Sequence, residues 1–199
     1  MNLFKSNLQL PKHVFIVATG QNGREHYARI PVGSHVIAVN KGIIAYPRAK
    51  IWLCSDNTLP ELDWWETADD NTSAFRIFSD RLIETTHKIA DYTFDQDPVM
   101  CFHDYEPRRG SLRCGATVSA QALQFAYWFG AAHVTLVGVD MSGGTYFDGT
   151  HGKHHSEAEG AWNCINRFNS LILWLQEHGM IVDSLSKTAL DVKVMADDE

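Results

Sequence analysis

HVFIVATGQNG, residues 13–23, is the stretch that decides the fold. Five of the six residues after His13 are apolar, and the chain then breaks into small and polar residues. A short unbroken apolar run of this kind fits a strand buried on both faces, as in a parallel sheet. The break, ATGQNG, has Gly20 and Gly23 where backbone amides could approach a phosphate. It is not a full G-x-G-x-x-G, so a phosphate cradle and a plain strand-to-loop turn both stay open.

The rest of the chain repeats the pattern. Residues 34–40 (SHVIAVN), 49–56 (AKIWLCSD), 74–80 (AFRIFSD), 133–140 (HVTLVGVD) and the segment GMIVDSLS read as further strands. Between them lie amphipathic stretches. A short helix is expected at residues 24–30 and another within LPELDWWETADD. Residues 116–130 make a strong helix, with Thr117 or Ser119 as its cap and Gly130 as its stop. Residues 156–178 make a longer one, with Trp162, Ile165, Phe168, Leu171, Ile172 and Leu175 on one face. Residues 82–113 show mixed polarity, and loops or a short edge element are expected there. Strands alternating with helices predict an α/β fold: a single Rossmann-like domain over residues 1–199, with a mostly parallel sheet and helices on both faces.

Composition bounds the function. The 199 residues carry a net charge of −7, which argues against a general nucleic-acid binder. A local basic patch, EPRRGSLRCG with Arg108, Arg109 and Arg113, is the exception, as an anion site or a solvated loop. No apolar run reaches the roughly 18 residues of a membrane span, and the N-terminus has no signal-like apolar region. The four cysteines, Cys54, Cys101, Cys114 and Cys164, form no C-x-x-C, so zinc through cysteine is not expected. They read as reduced thiols of a cytoplasmic protein.

In open parallel sheets, ligands gather at the carboxyl ends of the strands. Here those ends carry Thr19 and Gly20, then Asn40, Asp56 and Asp140. Asn40 could serve a base, ribose or phosphate, or only its own turn. Asp56 and Asp140 could cap turns, hold a metal or position a hydroxyl, and the turn role suits Asp140 better. Before the long helix, THGKHHSEAEG (residues 150–160) brings His151, His154 and His155 together. A histidine there suits a general base near neutral pH. Their spacing is not the helical H-E-x-x-H of zinc sites, so no metal is assigned. Tyr146 could donate to a phosphate, or hold the loop down with Phe147.

Taken together, KHVFIVATGQ, HVIAVNKG, AKIWLCSDN, GATVSAQALQFAYWFGAAHVTLVGVDMS, TYFDG and HHSEAEGAWNCINRF resemble, in this order, the bacterial lipooligosaccharide sialyltransferases. The same blocks resemble a sister group, the hydroxymethylpterin pyrophosphokinase-like and flagellin-glycosylation-associated domains. Residues 64–113 lie outside the likeness. The first group implies a small, metal-independent enzyme that uses CMP-sialic acid as substrate and needs no cofactor. It implies that Gly20 and its neighbours Thr19, Gln21 and Asn22 border the nucleotide, and that Asn40 contacts it. It also implies that Gly115, Ala116 and Thr117 border the donor, that Tyr146 helps the departing phosphate, and that His155 is the general base. Thr19 stands where that family has a nucleotide-binding asparagine.

The leading expectation is therefore a glycosyltransferase moving a sialic-acid-like sugar from a nucleotide donor to a hydroxyl acceptor. A pyrophosphokinase using ATP and Mg²⁺, with Asp56 or Asp140 on the metal, is the alternative. A non-catalytic nucleotide- or sugar-binding module is the third reading. A homo-oligomer stays open.

Overall fold

In the computed structural model, the described residues are 1–97, 107, 109–113, 117–141, 148–149 and 158–195. For residue 71 and residues 158–163 the description covers the backbone alone. Among the described residues, nine parallel strands form one sheet. They are β1 (His13–Val17), β2 (Val36–Val39), β3 (Ile51–Cys54), β4 (Phe75–Ser79), β5 (Tyr92–Asp97), β6 (Ser111–Arg113), β7 (His133–Val137), β8 (Ile181–Ser184) and β9 (Lys193–Val194). Their order is β6-β5-β4-β3-β2-β1-β7-β8-β9. The chain steps outward from β1 to β6, returns to place β7 on the other side of β1, and steps outward again. The order thus reverses between β1 and β7, where doubly wound folds open their ligand crevice.

The continuous apolar runs form strands because both faces are covered. Every residue of β2 and β3 is buried. Along β1, Val14 and Ile16 belong to one core, and Phe15 and Val17 to the other. The first core is closed by α4 (Val118–Trp128) and α5 (Ala158–Glu177), through Leu123, Phe125, Phe168 and Leu175. The second is closed by α1 (Gly42–Ala45), α2 (Trp64–Asn71) and α3 (Asp80–Thr86), through Ile43, Trp65 and Leu82. Trp52 of β3 meets Trp65 with ring centroids 4.7 Å apart and Phe78 edge-on at 5.3 Å. The α/β class and the helices on both faces are as the sequence predicts.

Three details differ. The helix expected at 24–30 is two short 3-10 turns, Gln21–Gly23 and Tyr27–Arg29. Residues 82–113 hold more than the expected loops or short edge element: α3 runs on from Ser79, whose hydroxyl caps the Leu82 amide at 3.2 Å, and β5 lies between β4 and the three-residue edge strand β6. The second half of the sheet also has an extra two-residue edge, β9. Among the described residues no helix is long and apolar enough to cross a membrane. Cys54 and Cys164 are buried and in no disulfide; Cys101 and Cys114 lie outside the described residues.

Candidate functional site at the strand tips

The end of β1 is tied directly to the end of β7. The Ala18 amide donates to Val137 O at 2.9 Å, and the Gly20 amide to Gly138 O at 2.7 Å. The approach is close enough to need glycine on both sides: a Cβ on Gly23 would sit 2.6 Å from Gly138 Cα. Gly138 itself has φ +69°, which favours glycine. The Tyr27 hydroxyl donates to Ala18 O at 2.8 Å and closes the knot from below. On the far side Ser186 Oγ accepts from the Gly138 amide at 2.8 Å.

Asp140 is the electrostatic centre of this knot. Its Oδ2 accepts from the Asn22 amide at 2.7 Å. Its carboxylate lies so near Gly20 that a Cβ there would be 2.3 Å from Cγ. The residue is 9% exposed, and Oδ1 is buried with no hydrogen-bond partner. Burial pushes the carboxyl up to about 6, with the Asn22 hydrogen bond pulling the other way. Burial, and after it the Asp140 charge, also raises Tyr27. Two further turn amides have acceptors: Gly23 donates to Gly20 O at 3.0 Å and Arg24 to Gln21 O at 3.2 Å. Asn22 Nδ2 donates to Lys187 O at 3.0 Å.

The tip of β2 is built differently. Asn40 has φ +47°, a left-handed conformation that asparagine tolerates better than most residues. Its backbone is held by Trp52, whose indole donates to Asn40 O at 2.9 Å. Its side-chain Oδ1 is buried without a partner. The next residue, Lys41, pairs with Asp148 in the segment after β7, Nζ to Oδ2 at 2.5 Å. That segment carries Tyr146 two residues earlier. Gly42 opens α1 against β1, where a Cβ would stand 2.5 Å from Val17 O.

Two of the expected site residues have plain structural work. Asp56 is exposed, and its Oδ1 accepts from the Thr58 amide at 2.9 Å and the Thr58 hydroxyl at 2.8 Å. Thr117 caps α4, its hydroxyl accepting from the Ser119 amide at 3.0 Å. The structure brings Thr19, Gly20, Gln21, Asn22 and Asp140 together at the β1–β7 reversal, with Asn40 on the next strand. His155, Tyr146, Gly115 and Ala116, with His151, His154 and Arg108, lie outside the described residues. Arg113, read as part of a basic patch, is instead 4% exposed, with Nε donating to Asp97 at 3.0 Å.

Sequence reasoning missed Lys41, Tyr27, Ser186 and Gln121. Gln121 is fully buried in α4, and neither its Nε2 nor its Oε1 has a partner. Among the described residues no three His, Cys, Asp or Glu side chains are placed to hold a metal ion.

No family model matches the chain, and no curated protein matches it in sequence. Among solved structures, it is similar to the sialyltransferase CstII from Campylobacter jejuni in complex with a substrate analogue, CMP-3FNeuAc. That likeness has 13% identity and a TM-score of 0.50, over 94% of this chain and 90% of that one. It is similar also to the sialyltransferase CST-II in complex with trisaccharide acceptor and CMP, at 11% identity and a TM-score of 0.50, over 94% and 89%. At such identity the likeness shows a shared α/β fold over nearly the whole of both chains.

Proposed function

We propose that this protein is a nucleotide-sugar glycosyltransferase, with a CMP-linked, sialic-acid-like donor and a hydroxyl acceptor. The observation that carries the reading is the tether from the tip of β2 to the segment after β7. Lys41, beside Asn40, pairs with Asp148, which follows Tyr146 by two positions in the sequence. The similarity to the two sialyltransferase structures supports the same reading at the level of the fold.

In this mechanism the nucleotide lies across the tips of β1 and β2. His155 takes the proton of the acceptor hydroxyl as its oxygen attacks the anomeric carbon. The bond from that carbon to the phosphate oxygen breaks, and CMP leaves with the electron pair. Tyr146 donates a hydrogen bond to the departing phosphate oxygen. General-base help of this kind contributes roughly 10²–10⁴-fold.

The test is CMP release from CMP-sialic acid in the presence of a glycan acceptor. His155→Ala should lower turnover by roughly 10²–10⁴-fold while near-UV circular dichroism stays unchanged. A folded His155→Ala variant with full turnover removes the assignment. Wild-type protein that binds CMP but releases none from the donor points to a binding module instead.

A further inference from the structure

We propose that Asp140 is a built-in anion: its carboxylate occupies the position a ligand phosphate would take on the first turn, and so closes that turn to phosphate. A phosphate reaches such a turn through free backbone N–H groups and a local positive end. In this protein four of those groups, the amides of Gly20, Asn22, Gly23 and Arg24, are already engaged. The Asn22 amide donates to Asp140 Oδ2 at 2.7 Å, and the Gly20 amide to Gly138 O at 2.7 Å. The amides of Gly23 and Arg24 are bonded within the turn. The carboxylate also fills the space that Gly20 leaves open, since even a methyl group on Gly20 would collide with it at 2.3 Å.

The consequence is one of specificity. A ligand phosphate on this turn would have to displace a buried carboxylate or sit against its charge, and like charges at short range repel strongly inside a protein. The turn therefore takes a neutral part of a ligand, a ribose or a base. The anionic group of the ligand then lies off this turn, toward the tip of β2, where Lys41, paired with Asp148, stands beside Asn40. Nucleotides that depend on a glycine-rich turn to seat a pyrophosphate are disfavoured.

This inference concerns where an anion can bind and does not require the transferase reading. The test is backbone-amide NMR of the whole chain at pH 8, titrated with inorganic pyrophosphate and separately with CMP and with cytidine. In the wild type, pyrophosphate should leave the amides of residues 20–24 unshifted; a saturable shift there overturns the proposal. In Asp140→Ala, pyrophosphate should bind with at least tenfold gain in affinity and shift Asn22. A folded Asp140→Ala that gains no binding overturns it. Should that variant fail to fold, Asp140→Ser is read by the same criterion, and the wild-type titration decides in any case. An Asn22 shift with CMP that cytidine reproduces comes from the ribose or base and agrees with the inference and with the transferase reading together. An Asn22 shift given by CMP but not by cytidine overturns the inference and leaves the transferase reading standing. Absence of CMP binding counts against the transferase reading alone, and the pyrophosphate titration still decides the inference.

Discussion

Lys41 and Asp148, 107 residues apart in the chain, meet at the strand tips, one following β2 and the other following β7. With β1 between these strands, the pair links segments from both sides of the central strand. Both side chains are partly exposed, at 17% and 30%, so the pair contributes only about 0.2–1 kcal/mol to stability. Its expected effect is on positioning. Lys41→Ala should move the melting temperature little yet lower kcat by about tenfold to a hundredfold, because small misplacements of reacting groups are costly. The charge-swapped pair Lys41→Asp with Asp148→Lys should recover part of that loss. Kinetics of CMP release from the donor, run beside thermal melts, check it; a fall in stability that tracks the fall in kcat would show a merely structural pair.

Asp140 makes stability depend on pH in a stated direction. Its carboxyl is raised from 3.8 to about 6 in the folded protein, first by burial. A carboxyl raised on folding favours the protonated form, so its contribution is fully present below about pH 4. It is lost as the pH rises through about 6. At 1.36 kcal/mol per pKa unit the loss is roughly 3 kcal/mol, nearer 2 once solvent screening is discounted. Asp140→Asn keeps an oxygen for the Asn22 amide and removes the charge. It should be more stable than wild type at pH 7–8 and should flatten the pH dependence between 4 and 6. Urea unfolding across that range reads both effects, and parallel curves for the two proteins would contradict the assignment.

Gly20→Ala tests the same contact from the other side. The added methyl meets the Asp140 carboxylate at 2.3–2.6 Å, and the carboxylate is held by the Asn22 amide. The carboxylate must move, so a loss of about 1–3 kcal/mol is expected, as for overpacking of a tight site. Gly20 has φ −61°, so backbone strain adds nothing. Combined with Asp140→Ala the loss should be smaller than the sum of the two single losses, because the second change removes the obstacle. Additive losses in a double-mutant cycle would place the strain elsewhere.

How much of this was legible depends on what each residue faces. β1, β2 and β7 could be read because both of their faces are buried, which makes each an unbroken apolar run. β5 and β6 could not. Only Phe94 is buried in β5, and β6 buries Leu112 beside a charged Arg113. Arg113 is tolerated there because Asp97 pairs with it across the two strands. The small and polar strand ends fall where Gly20, Asn22 and Asp140 meet. What the sequence hid were the partners: Asn22 and Asp140 lie 118 residues apart, and no local pattern shows that one closes the other's amide. Asp56 looked like Asp140 in sequence, yet its partner is Thr58, two residues away.

Two glutamines on α4 should respond in opposite senses to the same substitution. Gln121 is fully buried, with neither amide atom bonded. Gln124, one turn further along, is also buried, but its Oε1 accepts from the Arg113 amide at 3.1 Å and its Nε2 donates to Arg113 O at 3.0 Å. An unpartnered buried polar group costs about 1–3 kcal/mol, and replacing it by an apolar group of similar size relieves that cost. Gln121→Leu should therefore raise stability by about that amount. Gln124→Leu does the reverse: it removes both hydrogen bonds that Gln124 makes to the Arg113 backbone, and stability should fall by about 1–3 kcal/mol. Chemical denaturation of the two variants at one pH separates them by sign. If Gln121→Leu proves destabilising, its amide has a partner in solution, such as a buried water.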